Sequence, residues 1–254
     1  GYNVNFVPRT RSVLVCDRTD YMTVNGKAVT YPEYEAMRYV LATPELTGVD
    51  LTNSTKAYLL KNAVLSVAAD KASVGLTQQS DQAINLALEQ YDDNLPFTIG
   101  AFALLMENEE KGFAYIDSVY SASEVQNAYE TDYVCAKHVL IRNGTDSEQQ
   151  ATATKAYEQA ASGADFDKLI EDFGEDPGVI NNPDGYVFSK GEMIDAFETA
   201  AYSLKIGEIS KPVKSEYGYH IIKRLPLPAL SEITKQELIF NLYVAPLMNS
   251  SVIE

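Results

Sequence analysis

The feature that most constrains the fold is a change of hydrophobic period near residue 131. Between residues 31 and 130, apolar side chains recur at helical spacing, and candidate capping residues precede the segments. Beyond residue 131, short apolar runs alternate with short amphipathic helices. The pattern predicts an α+β chain with a mainly helical domain over residues 1–130, a compact α+β domain over 131–226, and a C-terminal helix within 227–254.

The N-terminal part is predicted to open with extended chain and continue as helices. A β-branched run covers residues 12–16, and Asn25-Gly26 predicts a tight hairpin turn between strands at 21–24 and 28–30. A helix with Pro32 in its first turn follows. The predicted helices cover 31–42, a segment from residue 52 or 53 to 72, 80–92, 99–119 and 121–129.

The α+β part is predicted to begin and end with strands, at 135–141 and 219–224. Between them we expect a helix with a capping box at 147–150, a short helix capped by Asp165, an extended segment at 186–188 and a helix at 192–203. Residues 225–228 are predicted to form a stiff linker. The last helix, 231–245, has one apolar face, and we expect it to pack on the N-terminal domain.

The charge balance excludes one broad class of partner. The 254 residues contain 20 Lys and Arg against 36 Asp and Glu, a formal net charge of -16. Such a chain repels phosphate backbones and anionic membrane surfaces, so we expect no nucleic-acid binding. No apolar run approaches the roughly 18 residues that a membrane-spanning helix needs, so we expect no membrane insertion by this sequence.

Two cysteines, Cys16 and Cys135, are too few for a disulfide framework or a zinc cluster. A single bridge between them stays open, although Cys135 is expected to pack as a small apolar side chain. The first residues lack the basic and apolar regions of a secretory signal. A trimmed mature form is therefore a hypothesis that the sequence leaves open.

The chain has two histidines, His138 in the first strand of the α+β domain and His220 in its last. Because side chains alternate between the faces of a strand, His138 shares a face with Leu140, and His220 shares one with Ile222. If the strands are neighbours, the two imidazoles meet; otherwise they are unrelated half-buried histidines. A third ligand at suitable spacing is not evident, so we expect no metal site.

Four ordered stretches resemble the parvulin-type peptidyl-prolyl isomerases. They are VCAKHVLI at 134–141, GADFDKL at 163–169, FSKGEM at 188–193 with LKIGEISKPV at 204–213, and YGYHIIK at 217–223. Together they cover about residues 131–226. The hairpin at 24–30 and the segment at 121–129 are similar to bacterial extracytoplasmic foldases of the PrsA and SurA type. The resemblance implies a parvulin-like antiparallel sheet with helices, inserted in a helical chaperone domain.

The resemblance also implies roles for individual residues. The polar floor of the site would comprise His138, Asp176, Ser215 and His220. The pocket for the prolyl ring would comprise Phe188, Met193 and Phe197, with Tyr217 on its rim. Each has a plain alternative: Met193 and Phe197 as core, Asp176 as a turn residue, Ser215 as a strand hydroxyl.

The sequence departs from the family pattern in two places. Residues 182–187 differ from the usual segment and add one residue before Met193, which bears on the placement of Phe188. Arg142 is the only basic residue in the loop where eukaryotic members recognise phosphorylated Ser/Thr-Pro, so phospho-specificity is not expected.

By this resemblance the chain is expected to be a peptidyl-prolyl cis-trans isomerase without a cofactor, acting on unfolded or extended proline-containing polypeptides. The alternative is a weakly catalytic or non-catalytic holdase that binds unfolded chains through its helical domain. The resemblance further implies an extracytoplasmic place in a bacterium, at the cell surface or secreted. A lipid anchor through a segment outside this sequence and a homodimer are compatible with it.

Overall fold

The computed structural model describes residues 20–254 and divides them into two compact units. The helical unit comprises residues 20–120 and 239–254, and the sheet unit comprises 121–238. The sheet unit extends beyond the predicted domain 131–226 at both ends, to residues 121 and 238, because the flanking chain packs on it. The rings of Tyr129 and Tyr133 are in tilted contact with centroids 5.3 Å apart, and the Tyr129 hydroxyl donates to the Pro228 carbonyl. The run at 12–16 and Cys16 lie outside the described residues.

The helical unit begins with the predicted hairpin, in which β1 (Asp20–Val24) pairs antiparallel with β2 (Lys27–Thr30). Asn25 and Gly26 have φ angles of 50° and 82°. A two-residue turn of this kind requires positive φ at both positions, which explains the Asn-Gly pair. Thr30 then caps the first helix in a capping box with Glu33.

Four helices follow the hairpin, and the fourth packs on the other three. The second begins several residues before the predicted start, after Thr47. Threonine side chains cap the third and fourth helices, at Thr77 and Thr98, which fixes where these helices begin. The helices are α1 (Tyr31–Leu41), α2 (Gly48–Lys71), α3 (Gln78–Glu89) and α4 (Ile99–Val119).

The C-terminal chain differs from the single helix predicted at 231–245. The order along the chain is α9 (Glu232–Ile239), a π-helical turn (Phe240–Val244) and α10 (Ala245–Asn249). Pro246 lacks an amide proton and its ring crowds the carbonyl four residues earlier, which accounts for the irregular turn. Met248 packs on the core of the helical unit, and the backbone of Glu254 pairs with Thr23 in β1.

The sheet unit contains an antiparallel sheet with strand order β4-β3-β6-β5. Two features differ from the predictions. Thr145 rather than Ser147 caps α6, in a box with Glu148, and the three-residue β5 is too short to show an alternating pattern. The elements are α5 (Ala122–Asp132), β3 (Tyr133–Ile141), α6 (Asp146–Ala161), α7 (Phe166–Phe173), β4 (Tyr186–Ser189), α8 (Asp195–Ser203), β5 (Val213–Ser215) and β6 (Gly218–Leu225).

The two faces of the sheet have separate cores. Val139 and Ile221 project to the face covered by α6 and α7. Ala136 and Ile222 project to the opposite face, which α8 covers through Phe197. Since α8 has only nine residues, a part of this second face is free to form a site.

Candidate active site

Two imidazoles meet on the face of the sheet that α8 covers in part. His138 lies opposite Ile222 and His220 lies opposite Leu140 in the β3–β6 register, so the histidines are diagonal neighbours. Their Nδ1 atoms are 3.1 Å apart, and the rings stack with centroids 5.2 Å apart. His138 is 8% exposed and His220 is 3% exposed. The pair is therefore shielded from water.

A hydrogen-bond network extends the pair at both ends. The Ser215 Oγ lies 2.7 Å from Nε2 of His220, and Nε2 of His138 lies 2.8 Å from Oδ2 of Asp176. Asp176 follows α7 and caps the 3-10 turn Pro177–Asn181, where its Oδ1 accepts from the Gly178 amide at 2.9 Å. Tyr186 donates its hydroxyl to Oδ2 of Asp176 at 2.5 Å. Within residues 20–254, no group of three or more His, Cys, Asp and Glu side chains could hold a metal ion.

The protonation states follow from the surroundings. Burial contributes most to lowering the pKa of His220 from 6.5 to about 4, the neighbouring His138 adds to it, and Asp176 opposes it. Burial by itself raises the pKa of Asp176. Hydrogen bonds from Tyr186, His138 and the Gly178 amide outweigh burial and leave this pKa below its ordinary value. At neutral pH, His220 is uncharged and Asp176 is a carboxylate.

These states give the network one direction. A carboxylate only accepts, so Nε2 of His138 carries a proton and donates to Asp176. In the neutral form of His138, its Nδ1 accepts from Nδ1–H of His220. Nε2 of His220 then accepts from the Ser215 hydroxyl. With His138 neutral, all donors point from Ser215 towards Asp176, and each ring is held in one tautomer.

A cavity of about 390 Å³ lies above the histidine pair. The ring of Phe197 stands edge-on to both imidazoles, with its centroid 5.1 Å from His138 and 5.6 Å from His220. Apolar side chains thus form the walls, and the polar network forms the floor. The lining residues are His138, Leu140, Arg142, Asp176, Pro177, Tyr186, Glu192, Met193, Ile194, Phe197, Tyr217 and His220.

The structure brings most of the predicted site residues together around this cavity. The predicted residues that line it are His138, Asp176, Met193, Phe197, Tyr217 and His220. Ser215 belongs to the network through His220 and is not among the lining residues. Tyr217, which is 53% exposed, lies where a rim residue is expected. The catalytic or binding role of each of these residues stays a prediction.

Phe188 is the exception, and its predicted place in the pocket is corrected. It is 1% exposed, lies outside the cavity lining, and packs on Phe197 at 5.7 Å between ring centroids. Phe188 is on the same face of β4 as Tyr186 and lies two residues further along the strand. There it contacts the rings of Phe197 and Tyr202 in α8. Tyr186 therefore takes the wall position, and Phe188 supports Phe197 from behind.

Sequence reasoning missed several lining residues, of which Tyr186 has the strongest contacts. Tyr186 stands edge-on to His138 at 5.7 Å as well as donating to Asp176. Strand alternation places Tyr186 and Phe188 on one face, so a signal was present in the segment that departs from the family pattern. The same alternation places Leu140 beside His138. The other lining residues that were missed are Arg142, Pro177, Glu192 and Ile194.

Comparisons with known proteins find similarity in the sheet unit. The model of the family "Rotamase: PPIC-type PPIASE domain" matches residues 138–225. The foldase protein PrsA of Geobacillus kaustophilus is 43% identical over 89 residues, 35% of this chain and 30% of that protein. The foldase protein PrsA of Halalkalibacterium halodurans is 28% identical over 188 residues, 65% of this chain and 54% of that protein.

Among solved structures, this chain is similar to the parvulin NmPin of Nitrosopumilus maritimus. The sequences are 36% identical, the match covers 38% of this chain and 98% of that one, and the TM-score is 0.33.

The sheet unit therefore contains a PPIC-type, or parvulin-type, peptidyl-prolyl isomerase domain. The curated relatives to which the chain is similar are foldase proteins named PrsA. The chain spans only 30% to 36% of the length of the first three curated relatives that it matches.

Proposed function

We propose that the chain catalyses cis-trans isomerisation of X-Pro peptide bonds in unfolded or extended polypeptides and acts as a foldase. The observation that carries the proposal is an apolar cavity placed directly over a buried, hydrogen-bonded histidine pair. Such a cavity accepts a five-membered ring, and its floor is polar where the peptide bond would lie. No cofactor enters the proposed reaction, which makes and breaks no covalent bond.

The size of the barrier decides what the site must supply. An X-Pro bond prefers trans by only about 0.5–1 kcal/mol, but rotation costs roughly 18–20 kcal/mol because it breaks amide resonance. The planar amide is more dipolar than the twisted one, so a dry apolar pocket disfavours the ground state. A thousandfold acceleration needs only about 4 kcal/mol. Desolvation together with a few fixed dipoles is sufficient for that.

In the proposed reaction the walls and the floor act differently. Met193 and Phe197 hold the prolyl ring and exclude water from it. The network through Ser215 and His220 keeps the floor in one arrangement. Asp176 contributes negative charge near the turning carbonyl, because its lowered pKa keeps it ionised. Negative charge there disfavours the planar amide, whose oxygen is the more negative, and so favours rotation.

The test is a cis-to-trans relaxation assay on a short prolyl peptide. We expect Met193→Ala and His220→Ala to lower kcat/KM by about 10-fold to 100-fold, or about 1.4–2.7 kcal/mol. Tyr202→Phe is the matched control, because its hydroxyl donates to the Asp132 carbonyl away from the cavity and the variant should keep wild-type activity. A wild type no faster than His220→Ala would overturn the proposal. If both then suppressed client aggregation equally, the holdase alternative would take its place.

The setting of the protein is part of the same proposal. Its relatives are named foldases, so proteins are the class of partner. We place it outside the cytoplasm of a bacterium, with a lipid anchor and a homodimer as further predictions. Among residues 20–254, no helix has both the length and the apolar character to cross a bilayer. Fractionation of producing cells tests the location, and light scattering on the purified protein tests the dimer.

A further inference from the structure

Tyr186 has a contact that no predicted role accounts for. Its hydroxyl donates to Oδ2 of Asp176 at 2.5 Å, the same oxygen that accepts from His138 at 2.8 Å. Its ring stands 5.7 Å from the imidazole of His138 and lines the cavity. Tyr186 therefore holds the same carboxylate oxygen that His138 contacts.

Gly178 makes room for this hydroxyl. A Cβ atom at residue 178 would lie 2.5 Å from the Tyr186 hydroxyl oxygen and 3.3 Å from Oδ1 of Asp176. The backbone of Gly178 is outside the left-handed region, so the requirement is for space and not for an unusual φ. The Gly178 amide meanwhile donates to Oδ1 of Asp176 at 2.9 Å. Gly178 thus donates its amide to the Asp176 carboxylate and also leaves space for the Tyr186 hydroxyl to donate to it.

We propose that Tyr186 and Gly178 form a positioning pair that holds the Asp176 carboxylate ionised and oriented against His138. The inference rests on the proposed function for its effect on catalysis, but the state of Asp176 can be measured without turnover. Tyr186 acts through Asp176, so it is a positioning residue. Gly178 acts through Tyr186, because its missing side chain is what admits the hydroxyl.

Removing the hydroxyl changes the balance at Asp176 in a known direction. Burial raises the pKa of Asp176, and the hydrogen bond from Tyr186 is the largest of the effects that lower it. The other titratable or charged groups around the cavity are His138 on β3, His220 on β6, Arg142 on the loop after β3, Glu192 before α8 and Tyr217 before β6. A hydrogen bond to a charged group of this kind is equivalent to about one to two pH units.

The experiment follows the carboxyl carbon of Asp176 by NMR during a pH titration of the full chain. We expect Tyr186→Phe to raise the midpoint by about one unit or more. Gly178→Ala should produce a rise in the same direction, because its Cβ displaces the hydroxyl. Tyr202→Phe is the control: it loses a hydrogen bond of the same 2.5 Å length, to a backbone carbonyl, and should leave the midpoint unchanged.

A double variant tests whether the two residues act as a pair. In Tyr186→Phe the hydroxyl is gone, so adding Gly178→Ala should shift the midpoint no further. Additive shifts would overturn the pairing, and an unchanged midpoint in Tyr186→Phe would overturn the inference itself.

In the isomerisation assay, Tyr186→Phe should move the acid limb of the kcat/KM profile to higher pH by the same amount, with KM little changed because the ring remains. A wild type without activity would end the proposed function and leave the NMR test intact.

Discussion

Each unit of this protein contains a buried polar network, and the two networks differ in what surrounds them. In the helical unit, the Lys27 ammonium contacts Oγ of Ser66 at 2.6 Å and Oδ1 of Asn108 at 2.7 Å, and Asn108 donates to Glu33. In the sheet unit, the network runs from Ser215 through the histidine pair to Asp176. The first joins β2 to α1, α2 and α4; the second lies beneath a cavity.

This difference shows how a buried polar network that stabilises a core can be told from one that belongs to a binding site. Glu33 is 1% exposed, and its neighbours satisfy one another across packed elements, as a network that fixes the register of a core would. Burial lowers the pKa of both Lys27 and His220, so a shifted pKa does not distinguish the two networks. What distinguishes them is the apolar cavity that reaches the histidines and Asp176.

The largest effect is expected from breaking the network of the helical unit. Asn108→Ala removes an acceptor from the Lys27 ammonium and a donor from Glu33, which should cost about 2–4 kcal/mol in the free energy of unfolding of that unit. Amide exchange resolved by residue measures the loss unit by unit. Prolyl-peptide isomerisation by the folded variant should stay at the wild-type rate, and a tenfold loss would show that the networks are not separate in function.

The second largest effect is expected on acidification, which should lower the stability of the sheet unit. His220 titrates at about 4 when folded and near 6.5 when unfolded, so the unfolded state binds more protons between these values. This contribution to the stability of the sheet unit is present above pH 6.5 and is lost progressively as the pH falls from 6.5 to about 4, a total of about 3 kcal/mol. Asp176 has a lowered pKa, so its own contribution is lost only below about pH 3.8.

The helical unit has a contribution of the opposite sign. Burial raises the pKa of Glu109, so its protonation on folding adds stability as the pH falls. Residue-resolved amide exchange at pH 7, 5.5 and 4.5 compares the two units, with His220→Phe as the variant that cannot titrate. If the sheet unit lost as much stability on acidification in His220→Phe as in the wild type, the assignment of this loss to His220 would be contradicted.

A smaller effect should distinguish Phe197, which lines the cavity, from Phe188, which lies behind it. Phe188→Leu and Phe197→Leu each replace a buried ring in one core and should each cost about 1 kcal/mol of stability. Phe197 lines the cavity and Phe188 does not, so only Phe197→Leu should raise KM for a prolyl peptide. Thermal unfolding and steady-state kinetics on the pair measure both quantities. An equal rise in KM would restore Phe188 to the pocket wall.

The sequence was sufficient for the parts of the fold and site that depend on local patterns. Asn25-Gly26 predicted the hairpin. Alternation along the two strands predicted which neighbouring side chains share a face with each histidine. Their meeting depends on the pairing of β3 with β6, which is non-local and stayed open. The contact of Tyr186 with Asp176 was not predictable, because it depends on the empty space at Gly178. Phe188 was misplaced because alternation gives a face but not the position at which α8 ends.

The most direct test of the central claim is exchange NMR on a peptide with one proline, with the protein present in catalytic amount. We predict exchange cross-peaks between the cis and trans signals of that peptide, together with shift changes at the Met193 methyl group and at Phe197. His220→Ala should keep the shift changes and lose most of the exchange. Binding at the cavity by the wild type without any exchange, or exchange that persists in both Met193→Ala and His220→Ala, would contradict the claim.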